Sequence, residues 1–383
     1  MGPFGSDIKK EVYTDSGVPV LNGSNLQGFE LVEDSFGYVT EEKADSLKKA
    51  NAHRGDIVIT HRGTIGQIVY IPQNSKFERY VISQSQFRVT CNKDIVLPEY
   101  LTYYFHTREG QYKLLSNASQ VGVPALARAS TTFRKLEIDL PSIEIQRKAI
   151  DIILELQQKI AVNRRICANL EAQAQALFKH WFIDFAPFKD GKFVESELGM
   201  IPEGWRVGSI LDIAELYDYQ RKPLSSMERK DMKGDYPYYG ATSIMDYIDK
   251  YIFDGTYVLM GEDGSVVKDN GCPYLQYVWG KFWPNNHAHV MQGKNGFSTE
   301  MLYCFLSITD VRSIVTGAVQ MKISQRSMSH LLTVIPSKSV CGDYNRIIRP
   351  LFDLIKSTKE ENARLSTLRD TLLPKLMSGE IKV

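Results

Sequence analysis

Two short stretches carry residue types that could read a nucleic acid. Arg62 opens Arg62-Gly63-Thr64-Ile65-Gly66, which lies between the apolar runs 56–60 and 67–71 and directly follows His61. At a hairpin tip a guanidinium can lie bidentate on a guanine edge, and Thr64 can donate to a base or a phosphate. Asp263-Gly264-Ser265, with Lys268 beyond it, stands about 200 residues later in the same setting. A carboxylate there would repel phosphate but could accept from cytosine N4. For both stretches the plain alternative is a solvated turn. Further basic groups are Lys48, Lys49, His53 and Arg54, then Arg221, Lys222, Arg229, Lys230 and Lys233. The second group is mixed with Tyr217, Tyr219, Tyr238 and Tyr239, which makes it the better DNA candidate. Lys322 and Arg326 precede the last helical run and are candidates for backbone contact. Taken singly, a Lys or Arg is ordinarily solvated surface.

Asn285-Asn286-His287-Ala288-His289-Val290 invites a metal reading. Alternate residues on a strand point to opposite faces, so the two histidines cannot easily share one ion, and no metal is expected. The functional alternative places Asn286 or one of the histidines, such as His287, at a DNA face. A self-contained enzyme would carry its own machinery. The chain has no Asn/Asp-Pro-Pro-Tyr methyltransferase motif, no GxGxxG after a strand and no P-loop, so no catalytic residues are assigned.

These residues need rigid elements behind them. Asp56-Ile57-Val58-Ile59-Thr60 and Gln67-Ile68-Val69-Tyr70-Ile71 read as a hairpin around the first tip. Val18 to Leu21 is a strand, and Pro98-Glu99 opens a helix with Tyr100, Leu101, Tyr104 and Phe105 on one face. Gly255 to Met260 matches the strand at Gly55, and Leu302-Tyr303 matches Leu101-Thr102. A long helix is predicted from about Ile143 to Trp181, up to ~60 Å at ~1.5 Å per residue. Ile153, Ile160, Cys167, Ala174 and Trp181 fall in one seven-residue column, and Leu156, Asn163, Leu170 and Leu177 in another. Such a seam needs a partner helix, and a polar Asn163 in it would fix register. Adding 195 gives Leu351, Thr358, Leu365 and Leu372, with Ile348, Ile355, Asn362, Arg369 and Leu376 beside them. The same offset carries Leu140-Pro141-Ser142 onto Ile335-Pro336-Ser337 and Gly122 onto Gly317. The chain is therefore an internal repeat whose two long helices can pair antiparallel.

Ser142 is expected to cap the first helix and Asp343 the second. Pro350 and Pro374 fall in the second helix and predict kinks or a break. Within the second half about 40 residues, from Leu198 on, precede Tyr236-Pro237-Tyr238, but in the first half only 17 precede Val18-Pro19-Val20. The first segment thus lacks an opening strand-rich portion, being either minimal or shortened there.

A chain of 383 residues suggests two or three domains. The net charge is +1, and residues 191–335 hold 14 basic against 17 acidic groups. That balance argues against a stand-alone, non-specific nucleic-acid binder but leaves room for local basic surfaces. Cys91, Cys167, Cys272, Cys304 and Cys341 form no CxxC pair and read as reduced thiols. No apolar run approaches a membrane span. Met1-Gly2-Pro3-Phe4-Gly5-Ser6 is not an export signal, so a cytoplasmic location is expected.

Several of these stretches, in order, resemble the specificity subunit of type I restriction–modification systems over essentially the whole chain. They are Leu140 to Arg147, Asn163-Arg164-Arg165 through Leu170-Glu171, Ala176 to Phe185, Leu198 to Trp205, and Leu372 to Ile381. The resemblance implies two target-recognition domains, each reading half of a bipartite double-stranded DNA site, with the two helices setting the gap. It implies a non-catalytic subunit that docks two methyltransferase subunits and is joined by restriction subunits. S-adenosylmethionine, ATP and Mg are then expected on those partners, with no cofactor on this chain. Part of the Trp181, Phe182 and Phe185 patch could be a methyltransferase docking surface. The short N-terminal segment and Pro350 depart from the family pattern.

The expected architecture is α+β: recognition domains at 1–140 and 191–338, a spacer helix within 141–190, and a second at 339–383. The two domains are related by a pseudo-two-fold, and the helices form an antiparallel coiled coil. Half-sites are expected about one helical turn apart, ~10 bp between centres. Two alternatives are a self-contained restriction or modification enzyme and a protein-interaction scaffold that binds no DNA.

Overall fold

A computed structural model describes every residue except 4–6, 120–121 and 318–319; Phe4, Gly5 and Ser6 of the opening motif lie outside it. The chain divides into two compact units, Met1–Val162 with Asn362–Val383, and Asn163–Glu361. The fold is α+β, and each unit pairs a stretch of each long helix with its own sheets.

In the first unit a four-stranded sheet runs Gly37–Val39, Val18–Leu21, Arg79–Ile82, Asn51–His53. Its central pair is parallel, with Val20 opposite Val81. Beside it lies a three-stranded antiparallel sheet, Ile68–Tyr70, Ile57–Thr60, Gln86–Val89. The strand Ile57–Thr60 is buried along its whole length because alternate side chains enter different cores. Ile57 and Ile59 meet Tyr100, Tyr103 and Phe105 of the helix Pro98–His106, while Val58 joins Tyr80 and Val81. Period-two alternation normally gives one wet face; here both faces are dry, which explains the unbroken Ile-Val-Ile run.

The second unit repeats this plan. Ile244–Ile248, Lys233–Tyr239, Lys281–Pro284 and Phe253–Asp254 form a sheet of the same order, again with a parallel central pair, Tyr238 opposite Trp283. The strand Tyr257–Gly261 sends Val258 and Met260 to one core and Leu259 to another. Its sheet has a fourth strand, Ala214–Leu216, on the outer side of Ala288–Gly293. Among the described residues the first unit has no counterpart of that strand; Gly2 N–H alone reaches the Gln86 carbonyl there, 2.8 Å away.

The long helices are Ile143–Phe182 and Lys338–Met377, 40 residues each, and their first residues differ by the repeat offset. In the second unit they pack antiparallel: Tyr344 donates to the Ala174 carbonyl at 3.2 Å, Cys167 faces the Ile355 carbonyl at 3.9 Å, and Asn163 donates to Glu361 at 2.6 Å. In the first unit Asn362 donates to the Ile160 carbonyl at 3.4 Å, and Ile153 shares a core with Leu373, Leu376 and Met377.

The buried stripe differs in part from the heptad columns. Ile153, Ile160, Asn163, Cys167, Leu170, Ala174, Ile355 and Thr358 are buried, whereas Leu156, Leu177, Leu351, Leu365 and Leu372 are half-buried. Phe178, Phe182, Tyr344, Ile348, Phe352 and Leu373 lie deeper. A helix of 3.6 residues per turn drifts away from a 3.5 repeat, so the stripe slips by one residue over several turns.

The cap expected at Asp343 is corrected, and of the kinks or break expected at the prolines the break is excluded. Asp343 is no cap: Ser337 sits before the helix and accepts from Val340 N–H at 3.4 Å, as Ser142 accepts from Ile145 N–H at 3.5 Å. Asp343 instead pairs with Arg346 on the exposed face. Nor do Pro350 and Pro374 break the helix, which runs through both. Both prolines are exposed, and so are Arg346 and Asp370, whose carbonyls lose their intrahelical donor; water can satisfy them there.

Candidate nucleic-acid interface

The strands Ile57–Thr60 and Tyr257–Gly261 each end directly in a tip. Gly63 and Gly264 take positive φ, +84° and +78°, which a side chain would resist. In the first unit Gly63 N–H donates to the Pro124 carbonyl at 2.9 Å and Leu126 N–H to the His61 carbonyl at 2.8 Å. In the second, Gly264 N–H donates to Met321 at 2.9 Å and Ile323 N–H to Glu262 at 2.8 Å. Each tip is thus stitched to a following loop in the same way. His61, Arg62, Gly63 and Thr64 occupy the places held in the second unit by Glu262, Asp263, Gly264 and Ser265. One tip is basic and the other acidic on the same backbone.

In the first unit, Arg62 and Thr64 are exposed and make no side-chain hydrogen bond or ion pair to described residues. His61 is half-buried, with Nε2 3.2 Å from the Gln84 carbonyl. Burial pushes its pKa down against the pull of that bond, and neighbouring Arg62 lowers it further, so the neutral ring is favoured. Lys48 and Lys49 are exposed, and Lys49 lines a cavity of about 520 Å³ with Phe87, Arg88, Phe133 and Arg134. Arg54 is not free: it donates to the Ser75 and Phe77 carbonyls at 2.6 and 3.2 Å, so it props that loop.

In the second unit, Lys222, Ser265, Lys268, Asn286, His287, Lys322 and Arg326 are exposed, and Tyr219 is 79% exposed. His287 Nδ1 lies 2.5 Å from Asp263, so the acidic tip already has a partner. Tyr239 packs edge-on against Phe282 at 5.7 Å, and burial pushes its hydroxyl up to about 12; it belongs to the core. Phe182 is likewise buried, and Trp181 and Phe185 pack on Tyr344 and Trp205.

Sequence reasoning missed what lies under the second tip. His289 is 1% exposed, its Nδ1 2.6 Å from Asp218 and its Nε2 2.7 Å from the Ile323 carbonyl. Asp218 also accepts from Gln325 and from Val290 N–H, at 2.6 and 2.9 Å. Glu262 accepts from Arg221 at 2.6 Å and faces Lys322 at 3.2 Å. Arg221 further donates to the Asp218 and Ala288 carbonyls at 3.1 and 2.7 Å. Asp218, Glu262 and His289 could in principle ligate one ion. Yet 2.6 Å between Nδ1 and the carboxylate is a hydrogen bond, shorter than two ligands on a common metal allow, and Arg221 and Lys322 already supply positive charge. In the first unit the corresponding strand position is Phe87, which meets His61 and Phe133 at 6.2 and 5.7 Å. The available signal was an offset of 202, which sets His289 against Phe87. Its partners, Asp218 some 70 residues earlier and the Ile323 carbonyl 34 residues later, show no local spacing to betray them.

Burial alone would raise the Asp218 and Glu262 pKa values, but the hydrogen bonds and charges of His289 and Arg221 outweigh it and both are lowered. A lowered carboxylate contributes stability above its unfolded pKa and loses it as pH falls through the folded one. Asp218→Asn should therefore destabilise the chain at neutral pH, with the difference from wild type shrinking below the ordinary carboxylate range. Urea unfolding across a pH series from 7 down to about 2 measures this; a difference that persists undiminished or grows towards the acid end would contradict it.

Among the described residues, all five cysteines are free and no helix is long and apolar enough to cross a membrane. A family model described as the Type I restriction modification DNA specificity domain matches residues 5–172 and 202–367. The type I restriction enzyme MjaIX specificity subunit of Methanocaldococcus jannaschii is 25% identical, covering 98% of this chain and 89% of its own length. The HindI specificity subunit of Haemophilus influenzae is 22% identical over 86% of this chain and 87% of its own. A crystal structure of a type I restriction–modification S subunit from M. genitalium superposes with a TM-score of 0.50 at 16% identity, covering 96% of this chain and 91% of that one.

Proposed function

This chain belongs to the type I restriction modification DNA specificity family, and on that premise we propose that it reads a bipartite double-stranded DNA site, one half with each repeat. The carrying observation is one frame used twice with inverted tips, His61-Arg62 in one unit and Glu262-Asp263 in the other. A scaffold that fixes the backbone and varies the tip can present different chemistry to different bases. Arg62 with Thr64 would read one half-site. Ser265, Lys268, Asn286, His287 and Tyr219 would face the other, with Lys48, Lys49, Lys222, Lys322 and Arg326 on phosphates. The recognition domains are 1–140 and 191–338, and the helices within 141–190 and 339–383 set the gap.

The chain supplies specificity and no chemistry of its own. It acts with two methyltransferase subunits and with restriction subunits, which bind S-adenosylmethionine, ATP and Mg. Methylome sequencing with and without the gene tests this: loss of one bipartite methylated motif is expected, and an unchanged methylome rejects it. Arg62→Ala should cost about 1–3 kcal/mol of discrimination at one base pair of one half-site and leave the other half unchanged. Competition binding by the assembled methyltransferase with single-base variants of the site measures it; equal loss at both halves would exclude a direct base contact.

A further inference from the structure

The second tip rests on charge where the first rests on packing. Arg221 is 12% exposed at its side chain, Glu262 14%, Asp218 5% and His289 1%. These four come from three separate parts of the chain: residues 218–221, the tip at 262, and the strand Ala288–Gly293. Gln325 and the Ile323 carbonyl bind the same cluster from a fourth part, the loop after the tip. Arg221 sits at the crossing, with its guanidinium directed to Glu262 and to the Asp218 and Ala288 carbonyls. A side chain so engaged has little left to offer a phosphate, although it lies among exposed basic residues. Removing one member of a satisfied buried cluster leaves its partners uncompensated, so each member resists rearrangement of the others.

We propose that Arg221 is a positioning residue: with Asp218, Glu262 and His289 it forms an ionic latch that holds the tip 262–265 and the loop 321–325 as one recognition surface. The first unit achieves the same with Phe87 against His61 and Phe133, so the latch is particular to the second unit. The latch rests on the specificity reading for its purpose but not for its mechanics. Lys322 pairs with Glu262 from the outside with its side chain 49% exposed, so unlike Arg221 it keeps room to meet a phosphate.

Two measurements on the full chain separate these. Hydrogen exchange on Arg221→Met needs no DNA. The Gly264 and Ile323 amides should exchange at least tenfold faster, while Gly63 and Leu126 in the first unit stay unchanged. Unchanged exchange at Gly264 and Ile323 overturns the latch, whatever happens on DNA. The second measurement is salt-dependent binding by the assembled methyltransferase on its own site. Arg221→Met should lose about 10- to 100-fold in affinity, the scale of one spoiled base-pair contact, with the slope against salt unchanged. Arg221→Lys keeps the charge but not the fork and should fare nearly as badly. A slope reduced by about one, with lysine restoring affinity, would make Arg221 a phosphate contact and overturn the latch while leaving the specificity reading intact. A wild-type assembly that protects no bipartite site rejects that reading alone, and the exchange measurement still decides the latch. If Arg221→Met does not fold, Arg221→Lys takes its place in both measurements.

Discussion

Phe352→Ala is expected to cost about 3–5 kcal/mol of stability, the range for emptying a packed aromatic site. Phe352 is 1% exposed and stands where the C-terminal helix meets the second unit's sheets, with Tyr277 at 4.9 Å and Tyr303 at 5.9 Å. Ile348 and Ile355, one turn away on either side, share its core and cannot close the gap without moving the helix. Against a total of ~5–15 kcal/mol for a typical protein, that loss is a large fraction. Urea unfolding followed by far-ultraviolet dichroism measures it. Leu351→Ala, on the neighbouring half-buried position, should cost well under half as much. Equal costs at the two positions would mean the buried stripe lies elsewhere.

Adding seven residues to both long helices should change which DNA is bound by changing only the gap. One heptad, about two helical turns, preserves the phase of the stripe and adds about 10 Å of helix, or roughly three base pairs. The insertions belong where packing is polar, near Asn163 with Glu361 and Asn362 with Ile160. The original site should lose on the order of 100-fold in affinity, because only one half can be met at a time and each mismatched pair costs ~1–3 kcal/mol. A site with the same half-sites and a longer unread gap should recover it. Selection from a randomised DNA pool, using the assembled methyltransferase, reads both outcomes. New half-site bases with an unchanged gap would contradict a spacer role for the helices.

Much of the architecture was legible in the sequence because it is local or periodic. The offset of 195 that takes Ser142 to Ser337 also sets the starts of two equal helices. The same offset carries the capping serine as well; Asp343 has a good capping side chain but lies inside the helix. The Ile-Val-Ile run at 57–59 announced a strand, and Gly63 and Gly264 announced the tips; that both faces of the strand are dry followed only from the two cores it separates. Among the described residues, the short opening of the first segment goes with a sheet that has no counterpart of Ala214–Leu216.

What the chain alone determined, then, is the repeat, its helices and strands, and two tips of opposite charge, since patterns of three to seven residues encode them. Only the tertiary structure decided which residues face inward and which charges are spoken for. Phe178 and Phe352 took the core from Leu177 and Leu351 because drift accumulates along a helix and is settled by its neighbours. Arg221 and Arg54 look like free cations in the sequence, yet their acceptors lie across the fold. The energy of a buried charge depends on partners that no local spacing records.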